Sequence, residues 1–526
     1  MVGEVERLIN ETLEHFKPLY KSYNEAGWDA ATTGTEEANW REKERQAELM
    51  RFWADPGRYA LAKRLHESGA AADPLSARQV KVIYLAAAKA QQDEATIQRL
   101  TQLEAEVRQE YYNFRAKVDG KELSDNQLDE ILSKGKDSSE VERAWEASKQ
   151  VGAQVADRVR ELARVRNAAA RAQGFRDHFL KSLTLDEIDE GMLLSTFEAL
   201  EAATRAPFAS VKAEIDRDRA ARFGVAVSDL RPWHYGDRFF QQAPEMGGVD
   251  MDALFADKAP TVLATTTYDG LGMEVRDILA RSDLYARPGK NQHAFCTNID
   301  HEGDIRTLNN LVPNHRWSET LLHELGHAVY DKYIDQSLPW LLREPPHTLS
   351  TEAIAQMMGS LTFDKEWLTG VLGVPAAGAE RVAKVAQQRD RAGRLIFTRW
   401  CLVMTNFERA LYADPESDLD ALWWDLVERY QLLRRPEGRK APDWAAKYHV
   451  ALAPVYYHNY ELGYLAATQF RDRVRKAAGG IVGRKEAGRW LVEKIFRPGA
   501  QQDWAAHIIT ATGEPLNPRY FVEAVS

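Results

Sequence analysis

Two histidines four residues apart, with a glutamate directly after the first, make up the segment His323-Glu324-Leu325-Gly326-His327. On a helix this spacing puts both imidazoles on one face, where they can share one metal ion, and brings Glu324 within reach of a water held by the same ion. Leu321-Leu322 and Ala328-Val329 supply an apolar side, and no proline interrupts the run. A catalytic site needs a third ligand. Glu352, in Ser350-Thr351-Glu352-Ala353-Ile354-Ala355-Gln356, follows His327 by 25 positions near the start of a second expected helix, and packing of that helix on the first would deliver its carboxylate. Asp331 and Asp335 sit too close to His327 in sequence to fold back easily, and Glu344 is a further competitor. Two imidazoles and one carboxylate leave a fourth position for water, as a catalytic zinc requires and a closed structural site does not. The bland alternative is a surface helix with two ordinary histidines.

The chemistry to expect is hydrolysis. Zinc lowers the pKa of its water towards about 7 and polarises a scissile carbonyl, so that Glu324 can take the proton and pass it to the leaving amine. The resulting oxyanion needs hydrogen-bond donors besides the metal. A cluster after Lys447, comprising His449, Tyr456, Tyr457, His458, Tyr460 and Tyr464, can supply them, although any one tyrosine there also suits core packing. Gly479-Gly480-Ile481-Val482-Gly483-Arg484-Lys485 lacks the spacing of a phosphate-binding loop and reads as a turn.

These residues need elements to carry them. From Val5 to about Leu200 apolar residues recur at helical spacing, as in Leu128, Ile131 and Leu132 or Val155, Val159 and Leu162. Breaks are expected at Pro56-Gly57, Gly69 to Pro74, Asp119-Gly120 and Lys134-Gly135-Lys136, and a larger division near Gln242 to Gly248. Two β-compatible pieces, residues 293–298 and 304–308, flank His301-Glu302-Gly303 and read as a small antiparallel hairpin just before the motif helix. After Glu319 the pattern is helical again to about Arg475, with loops at Gly373 to Gly378 and Pro436 to Pro442.

Composition narrows the partners. A formal charge of −10 argues against nucleic acid as the main partner, because phosphate binding needs a concentrated basic surface. The longest basic cluster, Arg434, Arg435, Arg439 and Lys440, reads as a solvated loop. No apolar stretch is long enough to span a bilayer, so no membrane is expected. The start, Met1-Val2-Gly3-Glu4-Val5-Glu6-Arg7, lacks the features of a signal peptide, and the two cysteines, Cys296 and Cys401, call for no disulfide framework. A reduced, cytoplasmic setting is the expectation.

The sequence resembles the angiotensin-converting-enzyme family of zinc dipeptidyl carboxypeptidases, with echoes of the thimet oligopeptidase family. The likeness runs through Tyr23-Asn24-Glu25-Ala26-Gly27-Trp28, Ala144-Trp145-Glu146-Ala147, Arg166 to Phe175, Trp423-Trp424-Asp425-Leu426 with Tyr430-Gln431, and Ile509 to Pro515. It implies one zinc on His323, His327 and Glu352, with Glu324 as base. It implies that His293 and Ala294 lie on an edge strand that aligns the substrate backbone, that Lys447 and Tyr457 meet the substrate's terminal carboxylate, and that His449 and Tyr460 steady the oxyanion. Three departures stand out. Tyr235, two residues after Trp233, replaces a glutamine that helps hold the carboxylate; Gln356 replaces an aspartate that orients a ligand histidine; Val427 and Asn459 replace the arginines that hold an activating chloride. Chloride activation is therefore not expected.

The fold implied is a mostly α-helical, two-lobed ellipsoid with a deep central channel, residues 1–245 forming a helical lobe that roofs it and residues 246–526 the catalytic lobe. The expected substrates are short peptides, cut near the C-terminus, with internal cleavage of the oligopeptidase kind as the alternative and an inactive peptide-binding scaffold as a remote one. The sequence leaves open monomer or dimer.

Overall fold

A computed structural model of the chain describes residues 2–244 and 250–526. The described chain is mostly α-helical, with two small antiparallel β pairs. The expected division between Gln242 and Gly248 falls for the most part, from Glu245 on, outside the described residues. No helix is long and apolar enough to cross a membrane among those described.

Local sequence accounts for where the helices begin. Asp55, Asp73, Asp93, Asp137, Asp177 and Asp189 each accept a hydrogen bond from a first-turn N–H of the helix that follows. Each such cap satisfies a donor that has no partner within the helix and stabilises it by about 1 kcal/mol. Pro56 and Pro74 stand at the first helical position, where a missing N–H costs nothing, so the expected breaks there are helix starts. Pro18 and Pro207, by contrast, lie inside the helices Val2–Thr33 and Glu190–Phe223.

Contacts divide the chain into two compact units, each drawn from separate stretches of sequence. The first comprises Met1–Gln91, Val249–Gln387 and Leu462–Phe521. In it the helices Val2–Thr33, Pro56–Glu67 and Pro74–Ala90 bury Val5, Leu8, Ile9, Leu65, Val80 and Ile83 against Trp340 and Leu341. The second comprises Gln92–Gly248, Gln388–Glu461 and Val522–Ser526. Its long helix Ser138–Ala172 buries Val141, Ala144, Trp145, Val155, Val159 and Leu162, which include the residues expected from periodicity. Here β1 (Ala116–Val118) and β2 (Lys121–Leu123) pair across Asp119-Gly120, both at positive φ, 50° and 78°. Asp-Gly is the sequence of a two-residue hairpin turn, so the expected break is a tight reversal between strands.

In the first unit the hairpin expected before the motif is present. β3 (Phe295–Asn298) pairs antiparallel with β4 (Ile305–Leu308), Phe295 opposite Leu308 and Asn298 opposite Ile305, and both strands pack on the motif helix. Lys290 ties the approach to β3: its buried ammonium donates to the carbonyls of Asp283 and Tyr285 and the Asp283 carboxylate, and also contacts the Asn309 carbonyl.

The motif helix is His315–Tyr333, capped by Asn314, which accepts from Trp317 N at 2.8 Å. It starts four residues before Glu319. Leu321, Leu322, Leu325, Ala328 and Val329 are buried along it. Beside it lies the helix Thr348–Gly359, burying Leu349, Ala353, Ile354, Ala355, Met357 and Met358. Tyr268, fully buried, donates to Leu322 O at 2.8 Å and anchors the motif helix from a third side. The two helices approach closely at Gly326: a Cβ there would stand 2.8 Å from Ala355 Cα and 3.2 Å from Ala355 N. Backbone cannot yield as a flexible side chain can, so only glycine permits this separation. Gly326→Ala is expected to destabilise the protein by about 1–3 kcal/mol through overpacking, measurable as a lower midpoint of urea unfolding. An unchanged midpoint would mean that the helices are not in close contact there.

Candidate active site

The contact between the two helices determines where three polar side chains go. His323 and His327 face the same way from the motif helix, and Glu352 faces them from its neighbour. Glu352 Oε1 lies 3.7 Å from His323 Nε2, and Glu352 Oε2 lies 3.5 Å from His327 Nε2. One ligand atom from each lies within 4.8 Å of the others, and among the described residues this is the group of three that could hold an ion. It is Glu352, rather than Glu344 or Asp331, that stands with the imidazoles.

Electrostatics at this group follow from burial opposed by neighbours. Burial would raise the Glu352 carboxyl, but the two imidazoles and the Gln356 amide beside it win and hold it down at about 2. His323 is pushed down to about 4 by burial, against the pull of Glu352, so it is neutral and has a lone pair to offer at neutral pH. His327 is affected by the same burial but is raised by Glu352, with smaller contributions from Glu324 and Asp331. Burial pushes Glu324 up to about 7, and the residue is 7% exposed. That value suits a group that must accept a proton and return it near neutrality.

Two supporting contacts were not anticipated from sequence. His327 Nδ1 and Thr351 Oγ1 are 2.7 Å apart, which orients the ring and leaves Nε2 aimed at Glu352. Gln356 Nε2 donates to Glu352 Oε1 at 3.2 Å, so this amide contacts the acidic member of the group instead of a histidine. No residue pattern singles out Thr351, whereas Gln356 was marked by its place four residues after Glu352.

His293 and Ala294 occupy the segment entering β3, immediately before the ladder begins at Phe295. His293 is exposed, and its N–H donates to Asn291 Oδ1 at 2.9 Å. Among the described strands β3 pairs with β4 alone, and at its end Asn298 O accepts from the Tyr20 hydroxyl at 3.1 Å and the Asn24 amide at 3.5 Å.

The remaining expected residues belong to the second unit. Gly152 on the helix Ser138–Ala172 lets the turn Asp443–Ala446 press against it: a Cβ there would lie 2.5 Å from Pro442 O. Arg439 grips Asp443 with two bonds of 2.7 and 2.8 Å, and Trp444 Nε1 donates to Asp420 at 2.7 Å. Lys447 follows this turn. Its residue is 8% exposed, and its ammonium lies 5.3 Å from the ring centres of Phe239 and Trp400 and 5.5 Å from that of Tyr457. It donates to Gln241 Oε1 at 2.9 Å. Burial lowers it to about 8, against the attraction of Asp237.

Gln241 is the amide that sequence reading missed. Tyr235 is buried with its hydroxyl between Lys212 Nζ at 2.8 Å and Asp216 Oδ1 at 2.7 Å, and the side chain that reaches Lys447 comes from six residues further on. The Asp237 carboxylate folds the intervening turn by accepting from Phe239, Gln241 and Gln242 N–H groups, and Gln431 donates to the carbonyls of Phe239 and Phe240. Phe240, at φ 50°, makes the bend. An Asp followed by a Gln pair was visible in the sequence, but nothing in it reported a reversal at a phenylalanine.

Tyr457 is 4% exposed, its ring 5.0 Å from His449 and 5.5 Å from Tyr460. His449 Nδ1 is buried without a hydrogen-bond partner among the described residues, and burial with the nearby Lys447 charge pushes the ring down to about 4. Tyr460 packs against Phe397 and Tyr456.

Comparison with known proteins gives two family matches. The model for angiotensin-converting enzyme matches residues 3–198, and that for peptidase family M3 matches residues 275–526. Carboxypeptidase 1 of Bacillus subtilis (strain 168) is 22% identical over 268 residues, 44% of this chain and 52% of that protein. The chain thus matches about half the length of this curated relative. Its first two hundred residues are similar to angiotensin-converting enzyme, and the part that carries His323, Glu324, His327 and Glu352 is similar to peptidase family M3.

Proposed function

We propose that the protein is a zinc metallopeptidase that hydrolyses short peptides and releases dipeptides from their C-termini. The observation that carries the reading is the convergence of His323, His327 and Glu352 within 4.8 Å, with Glu324 buried beside them. The donor set suits zinc. Two ligand atoms about 2.1 Å from a tetrahedral centre are about 3.4 Å apart, close to the 3.5 and 3.7 Å separating Glu352 from the imidazoles. Those separations are too long for good hydrogen bonds and short enough to share an ion. His327 is held through its other nitrogen, as ligating histidines usually are.

Zinc held by these residues would acidify a water and polarise the peptide carbonyl. Glu324 takes the water's proton and returns it to the departing amine. His449 and Tyr460 are proposed to steady the oxyanion, and His293 and Ala294 to align the peptide backbone at the start of β3. Lys447 is proposed to take the terminal carboxylate, with Gln241 and Tyr457 beside it. An ammonium so nearly buried, with an amide as its hydrogen-bond partner, retains charge for a carboxylate to satisfy. Pinning the peptide's end selects the scissile bond by distance from that end. Internal cleavage of the oligopeptidase kind is the second reading.

Glu324→Gln keeps the shape of the site but cannot accept the water's proton. It is expected to bind one zinc per chain and to lose about 10²- to 10⁴-fold in kcat, measured on a fluorogenic peptide beside elemental analysis. Native turnover in this variant would place the base elsewhere.

The terminal anchor gives a second test. With its ammonium at about 8, flanked by Asp237, Arg238 and Cys401, Lys447 is charged at pH 7 and loses its charge as the pH rises through 8. From pH 7 to 9, kcat/KM for a peptide with a free carboxylate should therefore fall faster than for the same peptide amidated. Lys447→Ala should weaken cleavage of the free peptide by about thirtyfold or more and leave the amidated one unchanged. Equal cleavage of both peptides, at internal bonds, would favour the oligopeptidase reading.

A further inference from the structure

Of the six described non-glycine residues with positive φ, Val455 is the β-branched one. At φ 54° it occupies the left-handed region, which a β-branched side chain enters only under constraint. It is 3% exposed and lies between the helices Tyr448–Leu452 and Tyr457–Ala478, in the segment that separates His449 from Tyr457. Something must hold it there. Val455 N donates at 2.7 Å to Oε1 of Glu408, a residue 1% exposed on the helix Ala376–Ala413. The upstream arm of the segment is held as well: Arg166 Nη2 donates to Ala451 O at 2.8 Å, while the same guanidinium bonds Glu104 at 2.8 Å and the Tyr412 hydroxyl at 3.3 Å. Ala453 N closes back on His449 O at 3.0 Å.

We propose that Glu408 is a positioning residue for turnover: by accepting from Val455 N it fixes the left-handed bend that sets the His449 ring against Tyr457. The inference rests on the reading that His449 acts on the reacting carbonyl. It assigns Glu408 no contact with substrate. A purely structural carboxylate in an ion pair would serve through its charge, whereas here what matters is an acceptor at one point. Burial pushes the Glu408 carboxyl up to about 8, with the Val455 N–H and the Arg166 charge drawing it back, so a neutral amide of the same length is a close mimic at pH 7.

The test compares two conservative variants in the full-length, zinc-loaded protein, with His449→Ala alongside. Glu408→Gln keeps an acceptor at the same reach without an ionisable group; Glu408→Asp keeps the carboxyl and withdraws the acceptor by one methylene. Expected is kcat within about twofold of native for Glu408→Gln and about tenfold lower for Glu408→Asp, the equivalent of one buried hydrogen bond, with KM for a free-carboxylate peptide within about twofold in both. Rescue by glutamine together with a kcat effect at constant KM is what general loosening of the fold would not produce. Native kcat in Glu408→Asp beside an impaired His449→Ala, or equal impairment in both Glu408 variants, would overturn the inference alone. Native kcat in His449→Ala would overturn the assignment of His449 and the inference with it.

Discussion

The candidate site depends on one close contact, that of the helix His315–Tyr333 with the helix Thr348–Gly359 at Gly326 and Ala355. A side chain at Gly326 would force the backbones apart and carry Glu352 away from two imidazoles fixed on the other helix. The same neighbourhood is tight on a second side, where a Cβ on Gly463 would lie 3.3 Å from Glu352 Cγ. Apolar burial along both helices supplies the attraction, at about 1.5–3 kcal/mol for each fully buried large side chain. Gly326 determines how close that attraction can bring them. The glycine inside His-Glu-Leu-Gly-His is therefore as much part of the arrangement as the residues that carry the chemistry.

Burial has a second consequence, in the charges it leaves opposed. Glu352 stays low because two imidazoles face it, while Glu324, one residue from His323, is driven up by burial and by the Glu352 charge, against the pull of His327. Two carboxylates in one small site are thereby separated in proton affinity, one suited to hold a cation and the other to carry a proton. The second unit uses burial differently. Lys447 is surrounded by rings and bonded to an amide, and burial draws its ammonium down against the attraction of Asp237. Loops bent at Phe240 and Val455, each held by a buried polar side chain, place Gln241 and His449 around it.

How much of this was legible in the sequence depends on how local the signal was. Histidines at i and i+4, apolar periodicity in Val155, Val159 and Leu162, and the β-compatible pieces around His301-Glu302-Gly303 are short-range patterns, and the corresponding elements are present. Pro56 was read as a break and is a helix start, because Asp55 before it makes a cap. Asp119-Gly120 was read as a break and is a hairpin turn, a signal available in the dipeptide itself. The amide at Lys447 is different in kind. Tyr235 stands out by its distance from Trp233, but the turn folded by Asp237 brings Gln241 there instead, and the further partners of that turn, Gln431 and Lys447, lie some two hundred residues away in sequence. Thr351 and Glu408 act only through such distant or unmarked partners, and no spacing rule reports them.

The central claim is that His323, His327 and Glu352 share one divalent ion. Anomalous X-ray diffraction from crystals of the native protein, collected on both sides of the zinc absorption edge, tests it most directly. The account predicts a single zinc peak per chain, about 2.0–2.2 Å from an imidazole nitrogen of each histidine and from a carboxylate oxygen of Glu352. A peak elsewhere, or a site at which Glu352 is replaced by another carboxylate such as Glu344, would contradict it.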